Sequence, residues 1–264
     1  MEMSASSKKI FLVTIPILVV FVVVMVILKF IPHTSCHDDP AEQINIVFDK
    51  TKYYSPTQAH SVDETLVELL TRAADDAEIN LFYVTRDAAR PYLVLNECKP
   101  STHGNPLLVN VEDQQNNFRR IIINEIKKKI DLRLQYQSPA PILESLATIS
   151  RERIITSKLE RQKPIEFDIY SDMVQDSKNV SLVARPRSGA ANAGADGKIC
   201  ANPLRRTSGS FNETSADARR FFSDVPVHVY GIHRDPSTSP RYPGERCVRM
   251  FWEPIFPHLT WMTL

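Results

Sequence analysis

The stretch Ile44-Asn45-Ile46-Val47-Phe48-Asp49 is a short, mostly apolar run that closes on a carboxylate. Its β-branched and aromatic side chains read as a buried strand. A loop with Ser55-Pro56 follows, and then a helix. Ser61 and Glu64 have the spacing of a capping box, and Val62, Leu66, Leu69, Leu70 and Ala73 give that helix an apolar face.

Further along, Ile79 to Val84 and Tyr92 to Leu95 read as strands joined by a polar turn, the second lying antiparallel at the sheet edge. A long helix carries the spine Phe118, Ile122, Ile126 and Ile130, supported by Ile121 and Ile123, with Lys127 to Lys129 largely on its other side. Ser138-Pro139 starts another helix with apolar Ile142, Leu143, Leu146 and Ile149. Ile165 to Tyr170 is a strand ending on Ser171-Asp172, and Ala216 to Phe222 a short helix leading into the strand Val227 to Ile232. The stretch from Gly244 to Phe256 reads as helical up to Pro254, with Val248, Met250, Phe251 and Trp252 as packing residues. Strands alternating with helices predict an α/β, Rossmann-like, mostly parallel sheet with helices on both faces.

Upstream, Ile10 to Leu28 contains no charged residue. About 19 residues at ~1.5 Å each nearly span a hydrocarbon core of roughly 30 Å. Lys8 and Lys9 precede the run, and Lys29 follows it, then Asp38, Asp39 and Glu42, a slight basic bias toward the N-terminal side. That bias puts the N-terminus in the cytoplasm and the domain outside. A cleaved signal peptide would have a shorter apolar core and a small-x-small site, whereas the residues after Leu28 read Lys29-Phe30-Ile31-Pro32. An uncleaved signal-anchor is the reading. The expected organisation is a cytoplasmic N-terminus over 1–9, one transmembrane helix over 10–31, a linker over 32–43 and one α/β domain over 44–264, with a flexible insertion near 184–210. The protein is then single-pass, its domain periplasmic or extracellular, and in the inner membrane if the source is bacterial.

The chain has 264 residues and a formal net charge of +1, a balance that gives no reason to propose nucleic acid as partner. The four cysteines, Cys36, Cys98, Cys200 and Cys247, lack zinc-site spacing and suit an oxidising compartment, with three pairings open. There is no Gly-x-Ser-x-Gly elbow, phosphate-binding Gly-rich loop or His-Glu-x-x-His, and no small-molecule substrate is evident. Histidines such as His60, His228 and His258 read as surface or packing residues.

In an open α/β sheet, ligands bind at the carboxyl ends of the strands. Asp49, Thr51, Ser138 and Asp172 are expected there, a hard oxygen set suited to Mg²⁺. With Asp49-Lys50-Thr51-Lys52-Tyr53, Ser138 and Ser171-Asp172-Met173 in this order, the chain resembles a von Willebrand factor type A (VWA) domain. That family has Asp-x-Ser-x-Ser after its first strand, a later Thr, and an Asp after its fourth strand, together forming a metal-ion-dependent adhesion site. More closely the chain looks like bacterial membrane-anchored relatives of the family, through Ser55-Pro56, Leu143-Glu144 and Phe251-Trp252-Glu253 as well. The resemblance spans roughly Ile44 to Phe256. It implies a protein-binding, non-catalytic domain with Asp49, Thr51, Ser138 and Asp172 as ligands of Mg²⁺.

The chain departs from the pattern at several points. Tyr53 replaces the second motif hydroxyl, Met173 stands where Gly often follows the Asp, and Lys50 and Lys52 add positive charge. Glu166 and Asp168 alternate with Ile165, Phe167 and Ile169, which predicts a fourth strand more exposed than a central one. These departures leave open a degenerate site whose side chains only tie loops. Asp49-Lys50-Thr51 also echoes the nucleophile motif of haloacid-dehalogenase-like phosphatases, without its Gly-Thr half. A scaffold subunit with no ligand site is the remaining alternative.

Overall fold

The computed structural model describes residues 40–49, 56–87, 91–102, 110–130, 140–160, 164–175, 177, 182, 209–231 and 245–263. The apolar run forms β1, Gln43–Asp49, buried at every position. It pairs in parallel with β2, Glu78–Val84, on one side and β4, Ile165–Ser171, on the other. The edge strand β3, Tyr92–Cys98, runs antiparallel to β2, with a register shift between Leu81 and Phe82. Beyond β4 come β5, Val227–Gly231, and β6, Leu259–Thr263, both parallel. The order is β3-β2-β1-β4-β5-β6.

Alternation along β1 divides the core. Ile44, Ile46 and Phe48 face α1, Pro56–Arg72, and α2, Val111–Ile130, and pack with Val62, Leu66, Leu69, Phe118, Ile122 and Ile126. Val47 points the other way, into a core with Ile142, Leu146 and Ile149 of α3, Ile142–Glu160, Phe222 after α4, Gly209–Phe221, and Phe251 of α5, Glu245–Trp252. The predicted mostly parallel sheet with helices on both faces is what forms.

Four local readings change. The first helix begins at Pro56, so Ser61 lies inside it rather than at its cap. A proline is favoured at a first helical position because that N–H has no intrahelical acceptor. Glu64 instead faces His60, at 3.4 Å. The fourth strand is central and closed on both sides: Phe167, Asp168 and Tyr170 are 0% exposed. Its carboxylates are accommodated by Arg72 from α1, which contacts Glu166 and Asp168. The helix α4 begins earlier than expected, at Gly209. Finally, β6 was not expected; Leu259 and Trp261 pack on the core while Thr260 and Met262 take the other face, a period-2 pattern only five residues long.

The proposed membrane segment 10–31, most of the linker, Cys36, Cys200 and most of the insertion near 184–210 lie outside the described residues. Among the described residues no helix is long and apolar enough to cross a membrane. Cys98 and Cys247 are both disulfide-bonded.

Candidate functional site

The carboxyl edge of the sheet brings Asp49 and the Ser171-Asp172 turn together. Parallel pairing of β1 with β4 sets Phe48 opposite Tyr170, so the strand ends Asp49 and Ser171 meet. Asp49 is 1% exposed, and its Oδ2 accepts a hydrogen bond from Ser171 Oγ at 2.9 Å. The same Oγ accepts from the Met173 N–H at 2.9 Å. Asp172 Oδ1 accepts from the Val174 N–H at 3.0 Å, a side-chain-closed turn typical of aspartate.

Met173 has φ 54°, the left-handed region where glycine is at ease and a side chain costs energy. Its fully buried side chain and its carbonyl, which accepts from Trp252 Nε1 at 2.7 Å, hold it there. Trp252 and Phe251 are therefore core residues, as expected, whereas Met250, expected to pack beside them, is 42% exposed. Next, buried Gln175 accepts from the Leu143 N–H at 2.9 Å and donates to Glu144 Oε2 at 2.7 Å. It thus supplies an acceptor to the first turn of α3, where N–H groups have no partner in the helix. One loop ties β1, β4, α3 and α5 into a rim.

Of the four residues expected to share a metal, Asp49 and Asp172 reach this edge, and Thr51 and Ser138 lie outside the described residues. The donors fit Mg²⁺ only in part. They are hard oxygens, but Asp49 and Asp172 each commit one to a hydrogen bond within the rim.

A second polar cluster, not foreseen from the sequence, lies deeper on the α1 face. Asp168 is in register with His228 of β5, and Glu166 is two residues earlier on the same face. Arg72 grips Glu166 with both terminal nitrogens, one at 3.3 Å, and stands 3.5 Å from Asp168. One row toward the carboxyl edge, Phe48, Tyr170 and Tyr230 form a stacked column, centroids 4.6 and 4.5 Å apart. Thr65 donates to the Tyr170 hydroxyl at 3.3 Å. Burial pushes the Asp168 carboxyl well above its usual range; Glu166 adds to the rise and Arg72 opposes it. The sequence signal was Glu166-x-Asp168 inside an otherwise apolar strand, but His228 joins it only once the β4–β5 register is known.

No family model matches the chain, and no curated protein matches it. Solved structures similar to it include an aerotolerance-related membrane protein from Bacteroides fragilis, at 8% identity and TM-score 0.42, covering 84% of this chain and 90% of that one. BatB from Bacteroides thetaiotaomicron is similar at 7% identity and TM-score 0.39, over 84% and 89%. The manganese-loaded TRAP protein of Plasmodium vivax is similar at 10% identity and TM-score 0.40, over 88% and 71%. The sheet's own order, β3-β2-β1-β4-β5-β6, is that of a Rossmann-like, doubly wound α/β fold. At these identities and TM-scores the likenesses carry no argument, and the chain's own geometry carries the functional reading.

Proposed function

We propose that this chain is a protein-interaction module that recognises its partner along the carboxyl edge of the sheet, held at a membrane surface by residues 10–31. The observation that carries the reading is Ser171, which links Asp49 to the β4 loop and so presents partly exposed Asp172 on a fixed rim. A binding edge built this way is ordered before the partner arrives, which lowers the entropic cost of association. The disulfides at Cys98 and Cys247 support an oxidising, non-cytoplasmic side for the domain. Anchoring to the same membrane raises the effective concentration of the two partners.

Mg²⁺ held by Asp49, Thr51, Ser138 and Asp172, with one position left for a partner's carboxylate, is the finer version implied by the family resemblance. The oxygens already used within the rim weigh against it, so the reading proposed is metal-independent. No catalysis is assigned to Asp49, which at 1% exposure is poorly presented as a phosphatase nucleophile. The test is co-purification of the intact chain from its own membrane, comparing wild type with Asp172→Ala. A partner recovered in fixed ratio should fall several-fold in the variant, with the melting temperature little changed. Unchanged recovery contradicts the reading. Loss on adding a chelator restores the Mg²⁺ version.

A further inference from the structure

We propose that Glu166, Asp168 and His228 form a binding site for a divalent transition-metal ion, best matched by Zn²⁺, with the Arg72 guanidinium as a displaceable cover. Their ligand atoms, two carboxylate oxygens and an imidazole nitrogen, all lie within 4.8 Å of one another. His228 Nε2 stands 3.9 Å from Glu166 Oε1. This separation is wider than a tetrahedral shell with bonds of about 2.0–2.2 Å, so the side chains must close on the ion by small rotations. Adjacent central strands fix two of the three ligands, since Asp168 and His228 are in register.

The second observation is Asp168 itself. It is 0% exposed, and neither carboxylate oxygen meets hydrogen-bond geometry, although the Tyr230 hydroxyl and the Glu166 carboxyl face it. A buried carboxylate in that condition is costly unless a cation stands against it. Arg72 offers partial compensation: its Nη2, which also donates to Glu166, stands 3.5 Å from Asp168 Oδ1 without reaching hydrogen-bond geometry. The Arg72 side chain is 43% exposed, so it can swing into solvent when an ion takes its place. An ion pair this open is weakly held. The surroundings complete an enclosed site: the Tyr170–Tyr230 stack lies above it, and His228 is 25% exposed, which leaves an entry path. Imidazole among the donors favours Zn²⁺ over Mg²⁺. The site lies within the strands, apart from the rim at Asp49 and Asp172, and does not depend on the rim's function.

The competing account is a closed ion pair in which Arg72 neutralises both carboxylates permanently. Calorimetric titration of the intact, chelator-treated chain with Zn²⁺ separates the two, with Co²⁺ visible absorption reporting the ligand field. The expected result is one equivalent bound, weakened about tenfold or more by His228→Ala, in line with the least effect of disturbing a metal shell. Arg72→Gln should strengthen binding several-fold, because it removes the competing cation. His60→Ala, which removes the surface imidazole beside Glu64, should leave the titration unchanged. Absence of a saturable site, or binding that His228→Ala does not weaken, overturns the proposal. So does weaker binding in a folded Arg72→Gln chain. Asp168→Asn is not needed, so a folding defect there cannot obscure the outcome.

Discussion

At Met173 two opposing terms meet. A left-handed backbone costs a side-chain-bearing residue about 1–2 kcal/mol, which Met173→Gly would recover. The same change deletes a fully buried side chain, and truncations of that kind cost roughly 2–5 kcal/mol. The packing term wins, and the variant should be less stable by about 1–3 kcal/mol in urea unfolding. A more stable variant would mean that Met173 packs poorly. Asp168 makes a prediction in pH. Its raised carboxyl keeps a proton in the folded chain that the unfolded chain releases near the ordinary aspartate value, about 3.9. Between that value and the raised one the native state binds more protons, so stability falls as pH rises. Asp168→Asn cannot ionise and should gain on wild type as pH rises above the ordinary aspartate value, measured by denaturant midpoints with chelator present. Parallel profiles for the two chains would contradict the assignment.

Among the elements, α2 shows how far periodicity alone reaches. Phe118, Ile122 and Ile126 of the expected spine are buried, with Ile122 at 0%, whereas Ile121, expected to support it, is 37% exposed. Ile122→Ala should therefore cost about 2–5 kcal/mol and Ile121→Ala under about 0.5 kcal/mol, a contrast thermal unfolding resolves. The Lys127 to Asp63 contact at 2.9 Å adds little beside this, since half-exposed pairs contribute under about 1 kcal/mol. The other elements were legible in proportion to how local their signals are. The order of strands and helices follows from short apolar runs and their spacing, so most of the sheet was readable. The start of α1 was misplaced because Ser61 and Glu64 mimic a cap, while Pro56 does the work of a first turn. The strand β4 was read as half-exposed because Glu166 and Asp168 alternate with apolar residues; Arg72, far away in the chain, is what allows their burial. A pairing across such a separation leaves no trace in local pattern. The rim was partly readable through Asp49 and Ser171-Asp172, whereas the roles of Gln175 and Trp252 depend on contacts between distant elements.

At the level of the whole molecule, the described residues of the mostly parallel sheet present a loop-tied rim at its carboxyl edge and a half-buried polar cluster between α1 and β4–β5. Cys98, at the end of β3, and Cys247, in α5, are both disulfide-bonded. Reduction should lower the melting temperature, each lost bridge costing about 2–4 kcal/mol; an unchanged melt would show that they do not constrain the unfolded chain. The central claim is that the partner meets the carboxyl edge. Photo-crosslinking in the native membrane addresses it most directly, with the reactive group placed in turn at Glu144, beside the rim, and at His258, ahead of β6 at the opposite edge of the sheet. A discrete adduct from Glu144 and none from His258 is the result expected. An adduct from His258 with none from Glu144 would contradict the account.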